Sequence, residues 1–412
     1  MTRPVYILGG WQSDFSENWM RQDKDIMAAF KDAVDHALDA TGIDPADVET
    51  GHVGNFVGEL FNHQGLMGGF FGMCREEWAD LPTGRHEAAC ASGSIALLAA
   101  SAEIEAGRYD LACVVGLEQM RNVPGIEAAG HLGAAIWSGH EFEGVAMPWP
   151  HIFAKLGDEY DRRYGLKHEH LAGIAKTNFE NARRNPNAQT RKWEFTEASF
   201  TTDDEANPVI DGRIRKQDCG QITDGVAVAF LASEDKARAY AKQRGLKLED
   251  LAKIEGWGHH SAPIAYQAKI DAGGNSPYIF PHIRQTVVDA QSRAGTTLDA
   301  VDVIETHDCF TTTEYMAIDH FGLTAPGESW KAVEDGVIAI DGEKPINPSG
   351  GLIGTGHPVG ATGVRMALDG FKQVTRQAGG YQVDGVERVQ TLNIGGSATT
   401  AVSFVIGRGE AA

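Results

Sequence analysis

A chain of 412 residues is long enough for two or three domain-sized units and for a core that needs no disulfide staples. Its formal charge of −21 argues against nucleic acid as a partner, since phosphate backbones need a basic footprint, and no apolar run approaches the length of a membrane span. Five widely spaced cysteines, Cys74, Cys90, Cys113, Cys219 and Cys309, with no C-x-x-C pair, point to a reducing compartment and away from a zinc site or a disulfide frame.

Val5 to Leu8 reads as a first buried strand that stops at Gly9-Gly10. The apolar run there reads as too short for a signal peptide, and the tail from Arg408 to Ala412 does not resemble a peroxisomal or retention signal. A helix follows with Ile26, Phe30, Val34, Ala37 and Leu38 on one face and Gly42 closing it, and Asp47-Val48 then leads toward a strand through Val53 and Phe56.

From His86 to Leu98 a cysteine, Cys90, sits among Ala and Gly, and Ile95, Leu98, Ala102 and Ala106 fit a helix face behind it. A thiol at a helix start meets unpaired N–H groups and the positive end of the dipole, which favours thiolate and hence a nucleophile. A small buried cysteine is the equal alternative at this point. The helix ends at Gly107 and a strand follows at Leu111 to Val115.

Between Gly130 and about Arg215 the chain is rich in Trp, His, Asn, Arg and Pro, with helices expected around Phe153 to Tyr164 and His168 to Asn181 and no alternating strand pattern. It reads as an insertion covering a site. Basic clusters at Arg183-Arg184, Arg191-Lys192 and Arg213-Ile-Arg215-Lys216 could meet phosphates or stand as solvated surface charge. Core structure resumes with the strand Val226 to Leu231 and a helix from Ser233 to Arg244.

The order then recurs. A helix carrying Ile283, Val287, Val288 and Ala290 closes at Gly295, and Asp302-Val303-Ile304 leads into a strand that ends in Glu305-Thr-His307-Asp-Cys309-Phe310. Polar groups at a strand's carboxyl end are where α/β sheets place ligands, although Asp308 could equally cap a helix start. Asn347 to Gly363 repeats the device of the Cys90 stretch, a small-residue loop feeding a helix with Val364, Leu368 and Phe371, and puts His357 where Cys90 stood. Glycine density and Pro358 hold that histidine rigidly, as a base or orienter must be held. The strand Val389 to Asn393 ends in Gly395-Gly396-Ser397, either a hairpin turn or a source of free N–H groups for an oxyanion, and Ala401 to Ile406 is the last strand. Two α/β halves packed together are the architecture this implies.

Cys90-Ala-Ser92, His307-Asp-Cys309-Phe310, Gly356-His-Pro358-x-Gly-x-x-Gly363 and the Asn393-Ile-Gly-Gly turn, in that order, resemble the four active-site loops of the thiolase superfamily. The His-Asp-Cys-Phe loop makes the sterol-carrier-protein type the closest likeness, and the resemblance covers nearly the whole chain. It implies a duplicated five-layer α-β-α-β-α architecture: an N-terminal half at 1–129 and 216–250, a loop domain over the site at 130–215, and a C-terminal half at 251–412.

The resemblance also implies roles. Cys90 would be the acyl-accepting nucleophile, His357 its base, Cys309 the acid and base at the α-carbon, and His307 a stabiliser of the enolate oxygen. The backbone N–H groups of Cys90 and of Gly395 or Gly396 would form the oxyanion hole, with Arg213, Arg215 and Lys216 as candidates for the phosphates of coenzyme A. Most thiolases carry a second cysteine where this chain has Asn393; in the sterol-carrier type the cysteine of His-Asp-Cys-Phe takes its place.

The implied reaction is thiolytic cleavage or Claisen condensation of 3-ketoacyl-CoA, with coenzyme A or acyl-CoA as substrate and neither a permanently bound cofactor nor a metal. A cytoplasmic homodimer or dimer of dimers, with room for a small partner subunit and no membrane contact, completes the expectation. Two other readings stand beside it: a retro-aldolase on a β-hydroxyacyl-CoA side chain with a partner subunit, whose known examples lack the nucleophilic cysteine, and a non-catalytic acyl-CoA-binding scaffold.

Overall fold

The structure, a computed structural model, describes residues 3–409. Met1 and Thr2, and the tail Glu410 to Ala412 on which the reading of the C-terminus partly rests, lie outside them. Nine strands form the main sheet: β1 (Val5–Gln12), β2 (Thr50–Gly54), β3 (Thr83–His86), β4 (Leu111–Glu118), β7 (Gly225–Ser233), β8 (Ala252–Ser261), β9 (Val303–Thr306), β10 (Arg388–Gly395) and β11 (Thr400–Arg408). A small hairpin, β5 (Val209–Asp211) with β6 (Ile214–Arg215), stands apart in the segment where no strand was expected. The main sheet runs β3-β2-β4-β7-β1-β8-β11-β10-β9.

The duplication read from pattern order is present in the pairing. In the first half β2 and β4 run parallel, β7 pairs antiparallel with β4, and β1 antiparallel with β7. The second half repeats this with β9 and β10 parallel, then β11 and β8 antiparallel. The two sets meet where β1 and β8 pair antiparallel through Val5, Tyr6 and Ile7. Even β3, parallel to β2, has a counterpart in the single parallel bridge of Ile346 to Ile304.

Strand alternation sorts the side chains into layers. On β4 and β7, Cys113, Val115, Val228 and Phe230 face an outer core with Phe30 and Val34 of the helix Ile26–Thr41. Ala112, Val114, Ala229 and Leu231 face the opposite way, into a core shared with Val402, Phe404 and Ile406 of β11. That shared core holds the Cys90 helix (Ser92–Glu105), through Leu97, Ala100 and Ile104, and the His357 helix (Thr362–Val374), through Val364, Leu368 and Phe371. Beyond the second half's strands lies another outer core, with Ile304, Leu392, Ile283 and Val287. The result is helix, sheet, paired central helices, sheet, helix.

One expectation about the central layer is corrected. Ile95 and Leu98 are only half-buried, whereas Ser92, Gly93, Ser94, Ala96, Leu97, Ala100, Ser101 and Ile104 are buried. Ala102 and Ala106, the other two positions of the expected face, are exposed, so that face is the wetter side of the helix, and its small and polar side, with Gly93 and Ser94, is packed against the His357 loop and helix. The helices Pro148–Tyr164 and His168–Ala182 form where expected, and Ser233 caps the helix Glu234–Arg244.

Candidate active site

The carboxyl ends of β3, β4, β9 and β10 deliver their loops to one place, beside the N-termini of the two central helices. Cys90 sits in the turn Ala89–Ala91 that leads into its helix. Ala89, just before it, has φ of +48°, a left-handed backbone that costs a non-glycine residue about 1 kcal/mol. The strain is held in place locally. Ser92 Oγ accepts the N–H of Ala88 at 2.9 Å and donates to the carbonyl of Ala89 at 2.6 Å, and Glu87 accepts the N–H of Ala89.

His357 follows the short helix Gly351–Thr355, whose first amides are capped by Asp308 at 2.5 Å from Leu352 and 3.2 Å from Ile353. Asp308 is therefore a cap, but of the His357 loop and not of the helix Thr311–Phe321 that follows it in sequence. Asn178 Nδ2 ties the same carboxylate to Glu314. The His-Asp-Cys-Phe segment thus fixes the histidine loop while presenting His307 and Cys309.

Hydrogen bonding assigns the two rings different tautomers. Thr362 Oγ1 donates to Pro358 O at 3.1 Å, so at 2.7 Å from His357 Nδ1 it accepts, and Nδ1 carries the proton. His357 Nε2 is left as a buried lone pair without a partner, the form a base requires. Asn393 accepts from Ser94 through Oδ1 and donates through Nδ2 to His307 Nδ1 at 3.2 Å. His307 Nε2 therefore carries its proton, the form of a hydrogen-bond donor. Burial pushes His357 down to about 3 and His307 well below the usual histidine range, so both rings are neutral at pH 7.

Ligand atoms of Cys90, His307 and His357 all lie within 4.8 Å of one another, and the two rings meet edge to face at 5.2 Å. Such spacing is also within the range of metal ligands; the hydrogen bond from Asn393 to Nδ1 presents His307 Nε2 to the group as a proton donor. The N–H groups of Cys90 and Gly396 both reach the Cys90 sulfur. Desolvation in the cleft wall pushes that thiol up to about 12, against the expectation that the helix dipole holds it as a thiolate. Dipole and amides are outweighed by burial, so the resting pair is thiol and neutral imidazole. Cys309, close enough for its sulfur to act on that of Cys90, is pushed well above the usual thiol range by burial and touches Thr313 Oγ1 at 3.8 Å.

Of the two glycines, Gly396 lines the cleft and has φ of +61°. Gly395 is packed so tightly on Ala88 that a Cβ there would lie 2.1 Å from its carbonyl oxygen. The turn joins β10 to β11, so hairpin and N–H donor are the same object. The cleft, about 310 Å³, is walled by Phe56, Met120, Leu132 and Val359 and by Trp149, Phe153 and Phe310, the last two stacked at 4.8 Å. His307 stands just behind its wall, 1% exposed.

Among the basic candidates only Lys216 lines this cleft. Arg213 is paired with Asp158 and Asp161 on the helix Pro148–Tyr164, and Arg215 with Asp204 and the carbonyl of Asn207. Arg191 is paired with Asp14. Charge runs in the insertion mostly serve its own packing.

Sequence reading passed over Glu118. Its buried carboxylate ends β4 and accepts from the N–H groups of Phe56 and Gly360 and from Asn55 Nδ2, joining loops of both halves beside the cleft. A carboxylate closing the apolar run Leu111–Leu117 was the available signal. Thr362, five residues past His357, had none beyond that spacing.

Residues 5–235 match the family model described as Thiolase, N-terminal domain, and residues 274–408 match Thiolase C-terminal domain-like. The acetyl-CoA acetyltransferase of Methanothermobacter thermautotrophicus is 31% identical, over 98% of this chain and 100% of that protein. Sterol carrier protein 2 of Gallus gallus is 28% identical over 99% of this chain and 72% of its own length. Among solved structures, the Ltp2-ChsH2(DUF35) aldolase superposes with a TM-score of 0.75 over 99% of this chain and 98% of that one, at 18% identity, a likeness of fold.

Proposed function

The chain belongs to the thiolase family, and on that premise we propose how its own residues carry the reaction of a thiolase-type acyltransferase. The substrate is a 3-ketoacyl-CoA and the second substrate free coenzyme A, with no permanently bound cofactor. His357 Nε2 takes the proton of Cys90 Sγ as the sulfur attacks the keto carbon, so the unfavourable thiolate forms only in the step that consumes it. The N–H groups of Cys90 and Gly396 hold the resulting oxyanion. The bond between the α-carbon and the keto carbon then breaks, its electron pair passing into the enolate of acetyl-CoA, whose oxygen accepts from His307 Nε2–H. Cys309 Sγ–H protonates the α-carbon. The Cys309 thiolate left behind takes the thiol proton of the incoming coenzyme A as its sulfur attacks the acyl carbon, and Cys90, expelled as thiolate, recovers its proton from His357, so that every group is reset; the reverse sequence is the condensation.

The observation that carries this reading is the convergence of Cys90, a His357 with a free Nε2 and a proton-bearing His307 within 4.8 Å. Neutral groups suit the chemistry because both intermediates are anionic while the substrates are not charged at the reacting carbons.

Lys216 at the cleft is the residue of the basic cluster that we assign to the coenzyme's phosphates. We divide the chain at 1–129 with 216–250, 130–215 and 251–412. A homodimer is the assembly we propose, since β3 ends the main sheet with an unpaired edge and the segment between β2 and β3 leaves Leu66 and Met73 largely exposed; a dimer of dimers or a small partner subunit would add to that unit. Cytoplasmic location fits five free cysteines, and among the described residues no helix is long and apolar enough to cross a membrane.

The two cysteines separate in a test. With Cys309→Ala, Cys90 should still take an acetyl group from acetyl-CoA, while thiolysis of acetoacetyl-CoA falls by about a thousandfold or more. Thiolysis at the wild-type rate would remove Cys309 from the α-carbon step.

A further inference from the structure

The helix Tyr266–Ala272 buries a lysine that the reaction as described does not use. Lys269 is 1% exposed, and its Nζ donates to the carbonyl of Ile264 at 3.0 Å, to Ser397 Oγ at 2.7 Å and to Thr399 Oγ1 at 2.9 Å. None of the three acceptors is charged. Glu141, the carboxylate that acts on Lys269 from further off, directs its oxygens at the N–H of Tyr266.

Two of those acceptors belong to the turn that supplies the Gly396 N–H. Ala398 between them has φ of +64°, a left-handed conformation that a residue with a Cβ does not keep without outside support. Lys269 grips the residue on each side of it, and His282 Nε2 binds its carbonyl at 2.8 Å. Within this acyl-transfer reading, we infer that Lys269 is a positioning residue: a buried positive charge behind the Gly396 turn that aims its N–H donor and favours negative charge at the Cys90 centre.

A clamp alone would not need a cation. A methionine of similar length would fill the space with no charge to desolvate, so a buried ammonium on neutral partners lowers the stability of the fold. Its use is electrostatic. Behind a turn that is itself buried, a fixed charge adds to the oxyanion donor's field where the tetrahedral and enolate anions develop.

Burial also lowers Lys269 to about 8, which gives the inference a signature. The other shifted groups around it lie elsewhere: burial sets His282 at about 4 and Cys90 at about 12, and pushes Tyr266 well above the usual phenol range. A falling limb of activity near pH 8 therefore belongs to Lys269.

The experiment compares the full-length protein with Lys269→Met, Lys269→Gln and Lys269→Arg, using acetylation of Cys90 by acetyl-CoA, steady-state thiolysis of acetoacetyl-CoA across pH, and thermal melting. Lys269→Met and Lys269→Gln should lower kcat by about tenfold or more, leave KM within about twofold and lose the limb near pH 8. Their melting temperatures should equal or exceed the wild type, and Lys269→Arg should recover activity. Unchanged kcat, or a kcat loss accompanied by a lower melting temperature and an intact alkaline limb, would reduce Lys269 to a structural clamp and overturn the inference. A wild type that acetylates but shows no such limb overturns it alone; a wild type that never acetylates removes the acyl-transfer reading on which it rests.

Discussion

Glu118 joins the two halves of the site through one carboxylate. Its oxygens accept from Phe56 and Gly360, one on the cleft wall and the other three residues past His357. Burial raises Glu118 to about 7, so the acceptor-only form that these donors require fills as pH rises through that value. Activity should rise with it. Stability runs the other way: a carboxyl whose folded value lies above its unfolded one favours the fold in acid, and that contribution is lost as pH climbs from about 4.5 through 7. With Glu118→Gln an NH2 group faces backbone N–H donors, and Cys90 acetylation should fall by about 10- to 100-fold with the rising limb near pH 7 gone. A pH profile of acetylation in which the variant keeps that limb would assign it to another group. Residues of this kind explain what the sequence left unread. Cys90, His307, Cys309 and His357 stood out because small residues, proline or a strand end framed each of them. Lys269 lies in an ordinary run of Ile, Ala and Gln, and its burial depends on a turn 130 residues away.

At the scale of elements, the site is held together by two helices that touch through their backbones. A Cβ on Gly93 would lie 2.6 Å from the carbonyl oxygen of Gly360, and one on Gly363 would lie 2.2 Å from the N–H nitrogen of Ser94. Gly116 faces Gly360 in the same way, at 2.5 Å. These glycines set how closely the Cys90 and His357 helices cross, and hence the gap between thiol and base. Gly363→Ala should destabilise the protein by about 1–3 kcal/mol and slow acetylation by more than tenfold, with melting temperature and acetylation rate as the measurements. A fully active variant would mean that the crossing is looser than drawn. Glycine density was legible as a sign of close approach, but the partner of each glycine was not, because it lies on the other copy of the repeat. For the same reason the buried face of the Cys90 helix was misread: Ile95, Leu98 and Ala102 lie on its wetter side, and its small and polar residues are the ones packed against the other copy.

The whole molecule shares its centre between its halves. Val5, Ile7, Leu97, Val364 and Val402 belong to one core, and β1 pairs with β8 across the junction. Neither half can lose its structure without exposing the other's apolar surface, so calorimetry should give one cooperative transition; two well-separated transitions would contradict the shared core. The duplication itself was readable from the order of strands, helices and closing glycines. Which strand lies beside which depended on long-range pairing that no local pattern carries. What the architecture accomplishes is to bring a cysteine from one copy and a histidine from the other to a single cleft, and the most direct test is to observe that cysteine carrying the substrate's acyl group. Purified protein would be mixed with acetyl-CoA, quenched in acid, digested and examined by mass spectrometry beside Cys90→Ala. Acetyl on the Cys90 peptide alone, absent in the variant, is the result predicted here; no adduct with acetyl-CoA or longer acyl-CoAs would contradict the account at its centre.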